Sequence, residues 1–243
     1  RRGRSMMNNW VDYNGCEMQL DHLEREGKYQ NGFCHMPSPH YSNHGKSNVT
    51  KVNFTCDNKP GVVGEGSDLH VTLFHEWGHA AHFANMACED VILNVEYPPA
   101  STSWAETQSM FMDTMFSSIE RKTRYADYPF ELYEEKMKKL WPLSAKGIMG
   151  IALIVDFERK LYTAENLTKE SVIEYAKEVS DKYLDMSEPY LFSLLPVHIY
   201  SRESSCSYHG YGLAILWLSQ ARKYFYDKYE YIVDNPKVGE EMI

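Results

Sequence analysis

The sequence predicts a mainly α-helical protein with a small β portion near its N-terminus. Three observations carry this. Residues 11–66 are rich in Gly, Asn, Ser, Pro and His and lack helical periodicity. Within them, Lys51 to Cys56 alternates Val52, Phe54 and Cys56 with Lys51, Asn53 and Thr55, the period-two pattern of a half-buried strand. Beyond Gly66 the texture changes, and separate stretches as far as Tyr229 read as helical.

Taken in order, Ser67 and Asp68 are N-cap candidates for a helix running to about Met86. Ser103, with Glu106 three residues on, has the form of a capping box for a helix reaching about Arg121. Further helices are expected over Pro129 to Trp141, Leu143 to Glu165, Thr168 to Met186 and Tyr208 to Tyr229. Pro142, Asn166 and the Glu188-Pro189 pair separate them. No internal repeat, low-complexity tract or linker interrupts the chain, so residues 1–243 are expected to form one domain.

Composition narrows the function. The net charge is −9, with no basic block beyond the first four residues, which argues against a nucleic-acid partner because phosphate binding needs clustered Lys and Arg. The longest apolar run, Ile148 to Val155, is far shorter than the roughly 20 residues of a membrane span, so no membrane partner is expected. Cys16, Cys34, Cys56, Cys88 and Cys206 are spread singly and odd in number. That fits inert thiols in a reducing compartment, and the expected location is cytoplasmic. Asn48, Asn53 and Asn166 head Asn-x-Thr triplets, which arise readily by chance. His35, His40 and His44 lie in a polar stretch without regular ligand spacing and are expected to be solvated.

The strongest chemical feature is His75-Glu76-Trp77-Gly78-His79. Two imidazoles at i and i+4 lie on one helix face and can reach one zinc ion, while Glu76 beside the first is placed to take a proton from the attacking water. A chain of this composition would hold such a match by chance about 0.04 times, so the motif needs support. A catalytic zinc takes three protein ligands and leaves a position open. Glu106, on the next helix, supplies a third. With Ser109 and Asp113 it forms a polar stripe at i, i+3 and i+7 on an otherwise apolar element, and buried carboxylates need partners. As a capping residue Glu106 would need no metal; beside the two histidines it reads as a ligand. Asp113 is expected to orient a ligating imidazole through its second nitrogen.

Phe74 to His82, Trp104-Ala105-Glu106-Thr107-Gln108-Ser109 and Asp113 together resemble the thimet oligopeptidase and oligopeptidase F family of zinc metallopeptidases. Arg25-Glu26-Gly27-Lys28 and Tyr208-His209-Gly210-Tyr211 resemble two further family segments, so the likeness covers most of the chain from residue 25 to about 217. It implies a zincin-like helical catalytic domain and Zn²⁺ held by His75, His79 and Glu106. It also implies Glu76 as base and a tyrosine-bearing segment lying over the substrate. Tyr208 and Tyr211 match that segment's tyrosines and His198 the histidine that opens it. One departure stands out: Ser201-Arg202-Glu203-Ser204-Ser205-Cys206 has no glycine where thimet-type members are glycine-rich, which leaves roles among Tyr208, His209 and Tyr211 open. By the same likeness the substrates are short unfolded oligopeptides, with Lys51 to Cys56 offering strand-edge hydrogen bonds to an extended backbone.

The chain begins at Arg1 without an initiator Met, and family members are longer. The expectation is therefore a C-terminal catalytic fragment whose missing N-terminal part would cover its apolar surface, with weak or absent activity until that part is supplied. Two other readings stay open at this stage. One is a non-catalytic helical interaction module with a structural or absent metal, in which a fourth ligand such as His82 closes the site. The other is a zinc hydrolase of non-peptide substrates.

Overall fold

The computed structural model describes residues 10, 13–28, 32–38, 41–43, 46–48, 50–56, 65–86, 102–140, 145–184 and 205–242. Among the described residues from 13 onward, five short strands precede eight helices: β1 (Glu17–Asp21), β2 (Phe33–Ser38), β3 (Tyr41–Asn43), β4 (Lys46–Asn48) and β5 (Lys51–Thr55). The helices are α1 (Glu65–Asn85), α2 (Thr102–Ser117), α3 (Ile119–Ala126), α4 (Phe130–Leu140), α5 (Lys146–Thr163), α6 (Lys169–Leu184), α7 (His209–Tyr229) and α8 (Pro236–Met242). The protein is thus mostly helical with its β structure near the N-terminus, as the sequence predicts. His40, His44, Cys88, Pro142, Pro189, His198 and the Ser201 to Ser204 stretch lie outside the described residues.

The described residues gather into two compact units, one of residues 1–133 and 217–243, the other of residues 134–216. α7 is counted with the second unit up to Leu216 and with the first from Trp217.

In the first unit, β5 is the centre of a three-stranded sheet, parallel to β1 and antiparallel to β2. Its backbone is committed on both sides, so the edge role expected of Lys51 to Cys56 is ruled out; the edges are β1 and β2. A buried ammonium closes one end. Lys28 donates to the carbonyls of Asp21, at 3.0 Å, and Cys56, at 2.8 Å, tying the ends of β1 and β5. Gly27, at φ +78°, turns the chain there, and Arg25 grips the Asp21 carboxylate with two hydrogen bonds of 2.7 Å. The Arg25-Glu26-Gly27-Lys28 stretch is therefore a clamp on the sheet.

Val52, Phe54 and Cys56 meet Leu73, Ala80 and Phe83 of α1. The opposite side of α1, with Phe74 and Ala81, joins Phe111, Met112, Met115 and Phe116 of α2, Leu218 and Phe225 of α7, and Ile232, Val233 and Val238 beyond it. Trp10 belongs to the same core and passes so close to α8 that a Cβ on Gly239 would lie 1.8 Å from its carbonyl oxygen. α1 is thus held between the sheet and α2, and both of its faces are committed.

Helix starts differ from the sequence reading. α1 begins at Glu65, which places Ser67 and Asp68 inside its first turn and not at the cap. α2 begins at Thr102, so Ser103 is helical and the expected capping box does not form; Glu106 turns elsewhere. The single helix expected to reach Arg121 is split at Ser118. That hydroxyl accepts from the Arg121 N–H at 3.2 Å and donates to the Met115 carbonyl at 2.7 Å, competing with the helix ladder and starting α3. Glu120 of α3 then accepts from the N–H groups of Ile232, at 3.1 Å, and Val233, at 2.7 Å, while Arg124 and Tyr125 hold Asp234 at 2.6 Å each. These contacts fix the chain between α7 and α8.

The second unit centres on the α5–α6 pair, where Leu153 and Phe157 pack on Ala176 and Val179. Asp156, buried on α5, accepts from Arg159 and from Lys182 of α6 at 2.7 Å each. No described helix is long and apolar enough to cross a membrane.

Candidate metal centre

The centre is built where α1 and α2 touch. α1 carries His75, Gly78 and His79 on the face turned to α2, because positions three and four apart share a helix face. Gly78 makes the approach possible: a Cβ there would lie 2.6 Å from Ser109 Cα and 2.7 Å from the Gln108 carbonyl. No residue larger than glycine fits without moving backbone. The closeness brings Glu106 within reach of both histidines.

Glu106 Oε2 lies 3.3 Å from His75 Nε2 and 3.7 Å from His79 Nε2, and it accepts from Ser109 Oγ at 2.9 Å. The two rings are 5.0 Å apart and nearly perpendicular. His75, His79 and Glu106 are the one group of three or more potential metal ligands among the described residues, with donor atoms all within 4.8 Å of one another. Asp113, two turns along α2 from Glu106, accepts from His75 Nδ1 at 3.3 Å and so leaves Nε2 facing Glu106.

The donor set fits a divalent cation. In a tetrahedral zinc site with bonds of ~2.0–2.1 Å, neighbouring ligand atoms lie ~3.3 Å apart, close to both distances from the shared Glu106 oxygen. The protonation states agree. Burial opposes ionisation of Glu106, yet His75, His79 and Ser109 outweigh it and hold the carboxyl down to about 2. Burial pushes His79 down to about 4, so it is neutral and ready to ligate. Burial also pulls His75 down, but Asp113 and Glu106 overcome it and drive the imidazole up to about 10. The extra proton on His75 is the one a metal would displace.

Glu76 is 4% exposed, and its Oε2 is buried without a hydrogen-bond partner among the described residues. Burial pushes its carboxyl up to about 7. A buried carboxylate oxygen with nothing to accept from is costly unless another group binds there, which suits a base awaiting a water or substrate. Its other oxygen faces the start of β2, where a Cβ on Gly32 would lie 3.1 Å from Oε1 and 2.3 Å from Thr72 Cγ2.

His82 is not a member of the metal group; it is half-buried and stacked with Phe83 at 5.8 Å. Tyr208 and Tyr211 stand in the second unit at the start of α7, half-buried, their rings 5.0 Å apart. His209 is exposed. His198 falls outside the described residues. Two residues that shape the centre, Gly32 and Gly78, carry no such role in the sequence reading. Only the Asn31-Gly32 turn pair and the short gap between the two histidines hint at the two glycines.

The family described as Peptidase family M3 fits residues 12–241. A search of curated proteins found no match.

Proposed function

Because the chain belongs to peptidase family M3 and is in general terms a metallopeptidase, we propose that it is a zinc-dependent endopeptidase hydrolysing short unfolded oligopeptides. In this reading His75, His79 and Glu106 hold the metal and Glu76 is the base. The observation that carries it is the single Glu106 oxygen shared between two imidazole Nε2 atoms at 3.3 and 3.7 Å. When bound, zinc polarises a carbonyl and brings the pKa of water toward about 7.

The remaining steps belong to the chain. Glu76 accepts a proton from the attacking water and returns it to the leaving amine; a carboxyl near 7 suits both transfers. Asp113 holds the His75 tautomer. Tyr208 and Tyr211 donate phenol hydrogen bonds to the developing oxyanion, with His198 on the same segment. β2 lies at one edge of the described sheet and packs against α1, on the side of the sheet that carries Glu76. The fourth protein ligand that a structural zinc would need is absent from the cluster among the described residues, which favours the enzyme over an interaction module.

The exposed side chains of Leu213, Leu216 and Trp217 on α7 support a covering segment from the same enzyme as partner. We place the protein in the cytoplasm, where the thiols of Cys16, Cys34, Cys56 and Cys206 would stay reduced.

The test is hydrolysis of quenched peptides of roughly five to twenty residues by the zinc-loaded protein, with a folded protein as the negative control. Glu76→Gln is expected to keep its zinc and to lose about 10²- to 10⁴-fold in turnover. Unchanged turnover in that variant would sink the mechanism.

A further inference from the structure

One face of α5 touches the segment that opens α7 at two points. Glu158, buried on α5, accepts a hydrogen bond through Oε1 from the backbone N–H of Cys206 at 2.6 Å. Two turns earlier, Ile151 meets Gly212, where a Cβ would lie 3.5 Å from Ile151 Cγ2. Residues seven apart share a helix face, so the two contacts bracket Tyr208 and Tyr211 from the same side.

Cys206 has φ +59°, the left-handed region that residues with a Cβ adopt only at a cost. A buried carboxylate accepting from its N–H is a strong, charge-assisted bond that offsets that cost. From there the backbone runs on in close hydrogen bonds, Gly210 N–H to the Ser207 carbonyl at 2.8 Å and Tyr211 N–H to the Tyr208 carbonyl at 3.2 Å. The backbone that carries both rings therefore follows directly from the turn. The stretch Ser201 to Cys206 holds no glycine, so the conformation a glycine would adopt freely is held from outside by Glu158.

We propose that Glu158 is a positioning residue: by holding Cys206 in its left-handed turn, it sets where the phenols of Tyr208 and Tyr211 are presented to a bound peptide. This rests on the reading that those tyrosines act on substrate.

The test uses the whole zinc-loaded chain. Glu158→Ala should lower kcat about 10- to 100-fold with KM within about twofold, the signature of misplaced transition-state contacts. Glu158→Gln keeps an acceptor and should restore most of kcat. Cys206→Gly takes the turn without strain and should recover part of the loss in the Glu158→Ala background, which a purely structural role for Glu158 in α5 would not allow. Amide hydrogen exchange gives a readout independent of turnover: Cys206 and Tyr208 should exchange faster in Glu158→Ala and slow again in the double variant. Unchanged exchange at Cys206, or no recovery in the double variant, overturns the inference. Tyr208→Phe and Tyr211→Phe separate the two levels. If both keep full kcat, the tyrosine reading fails and the positioning role with it; if either loses kcat while Glu158→Ala does not, only the Glu158 inference fails.

Discussion

His75 is gripped from both ring nitrogens, by Glu106 at Nε2 and by Asp113 at Nδ1, each at 3.3 Å. The second contact is the easier one to remove without dismantling the ligand set. Asp113→Asn leaves an oxygen at the same place but weakens the acceptor, and it is expected to lower zinc affinity about 10- to 100-fold. Competition against a fluorescent chelator measures this, and unchanged affinity would mean that Asp113 does not orient the imidazole. The reach of sequence reasoning is clear at this scale. The grouping of His75, His79, Glu106 and Asp113 was legible because the His-Glu-x-x-His spacing and the polar stripe at i, i+3 and i+7 each mark one helix face, and the family resemblance joins the two. Gly32 and Lys28 were not, because their roles depend on β2 and β1 meeting α1 and β5 across the sheet, and no local pattern carries that pairing.

Among elements, the α1–α2 contact has the narrowest tolerance. Gly78→Ala would drive a methyl into Ser109 Cα and the Gln108 carbonyl. Since backbone must move, about 1–3 kcal/mol of stability should be lost, together with zinc affinity, because Glu106 recedes with α2. Thermal unfolding and metal titration of the variant check both; a wild-type Tm would contradict the packing described. The α5–α6 pair responds to acid. Hydrogen bonds from Lys182 and Arg159 hold the Asp156 carboxyl below its ordinary value. Its folded pKa is therefore lower than its unfolded one, and the unfolded state binds more protons. Its contribution is fully present above about pH 4 and fades as pH falls through the lowered folded value. Asp156→Asn should flatten that limb of a Tm-against-pH curve, and an unaltered acid limb would count against it. Most helix positions were legible, and the ends of α4, α6 and α7 fall within two residues of those expected, whereas α8 and the break between α2 and α3 were not foreseen. The break at Ser118 hinges on one hydroxyl accepting from Arg121, a competition that the apolar periodicity of α2 conceals.

At the scale of the molecule, the metal is not what holds the first unit together. α1 is buried by the sheet on one side and, together with α2, by the Phe74, Phe111, Met112, Phe225 core on another. Chelation should therefore leave a folded apoprotein with its far-UV circular dichroism unchanged and its Tm lowered by only a few degrees, on the order of a ligand-binding effect. Cooperative unfolding on chelation would instead mark the metal as structural.

The meeting of Trp10 with Gly239 sets a timetable for synthesis. Everything between them must leave the ribosome before that part of the core can close, roughly ten to fifty seconds at ordinary elongation rates. The second unit is continuous in sequence, from 134 to 216, so its α5–α6 hairpin can settle while Trp10, Phe74 and Phe111 are still waiting for Phe225 and Val238. Arrested nascent chains should show protection in α5 and α6 before it appears in α1 and α2. In that interval the histidines and Glu106 are already outside the tunnel on helices without their full apolar cover, the stage at which a holdase has most to bind.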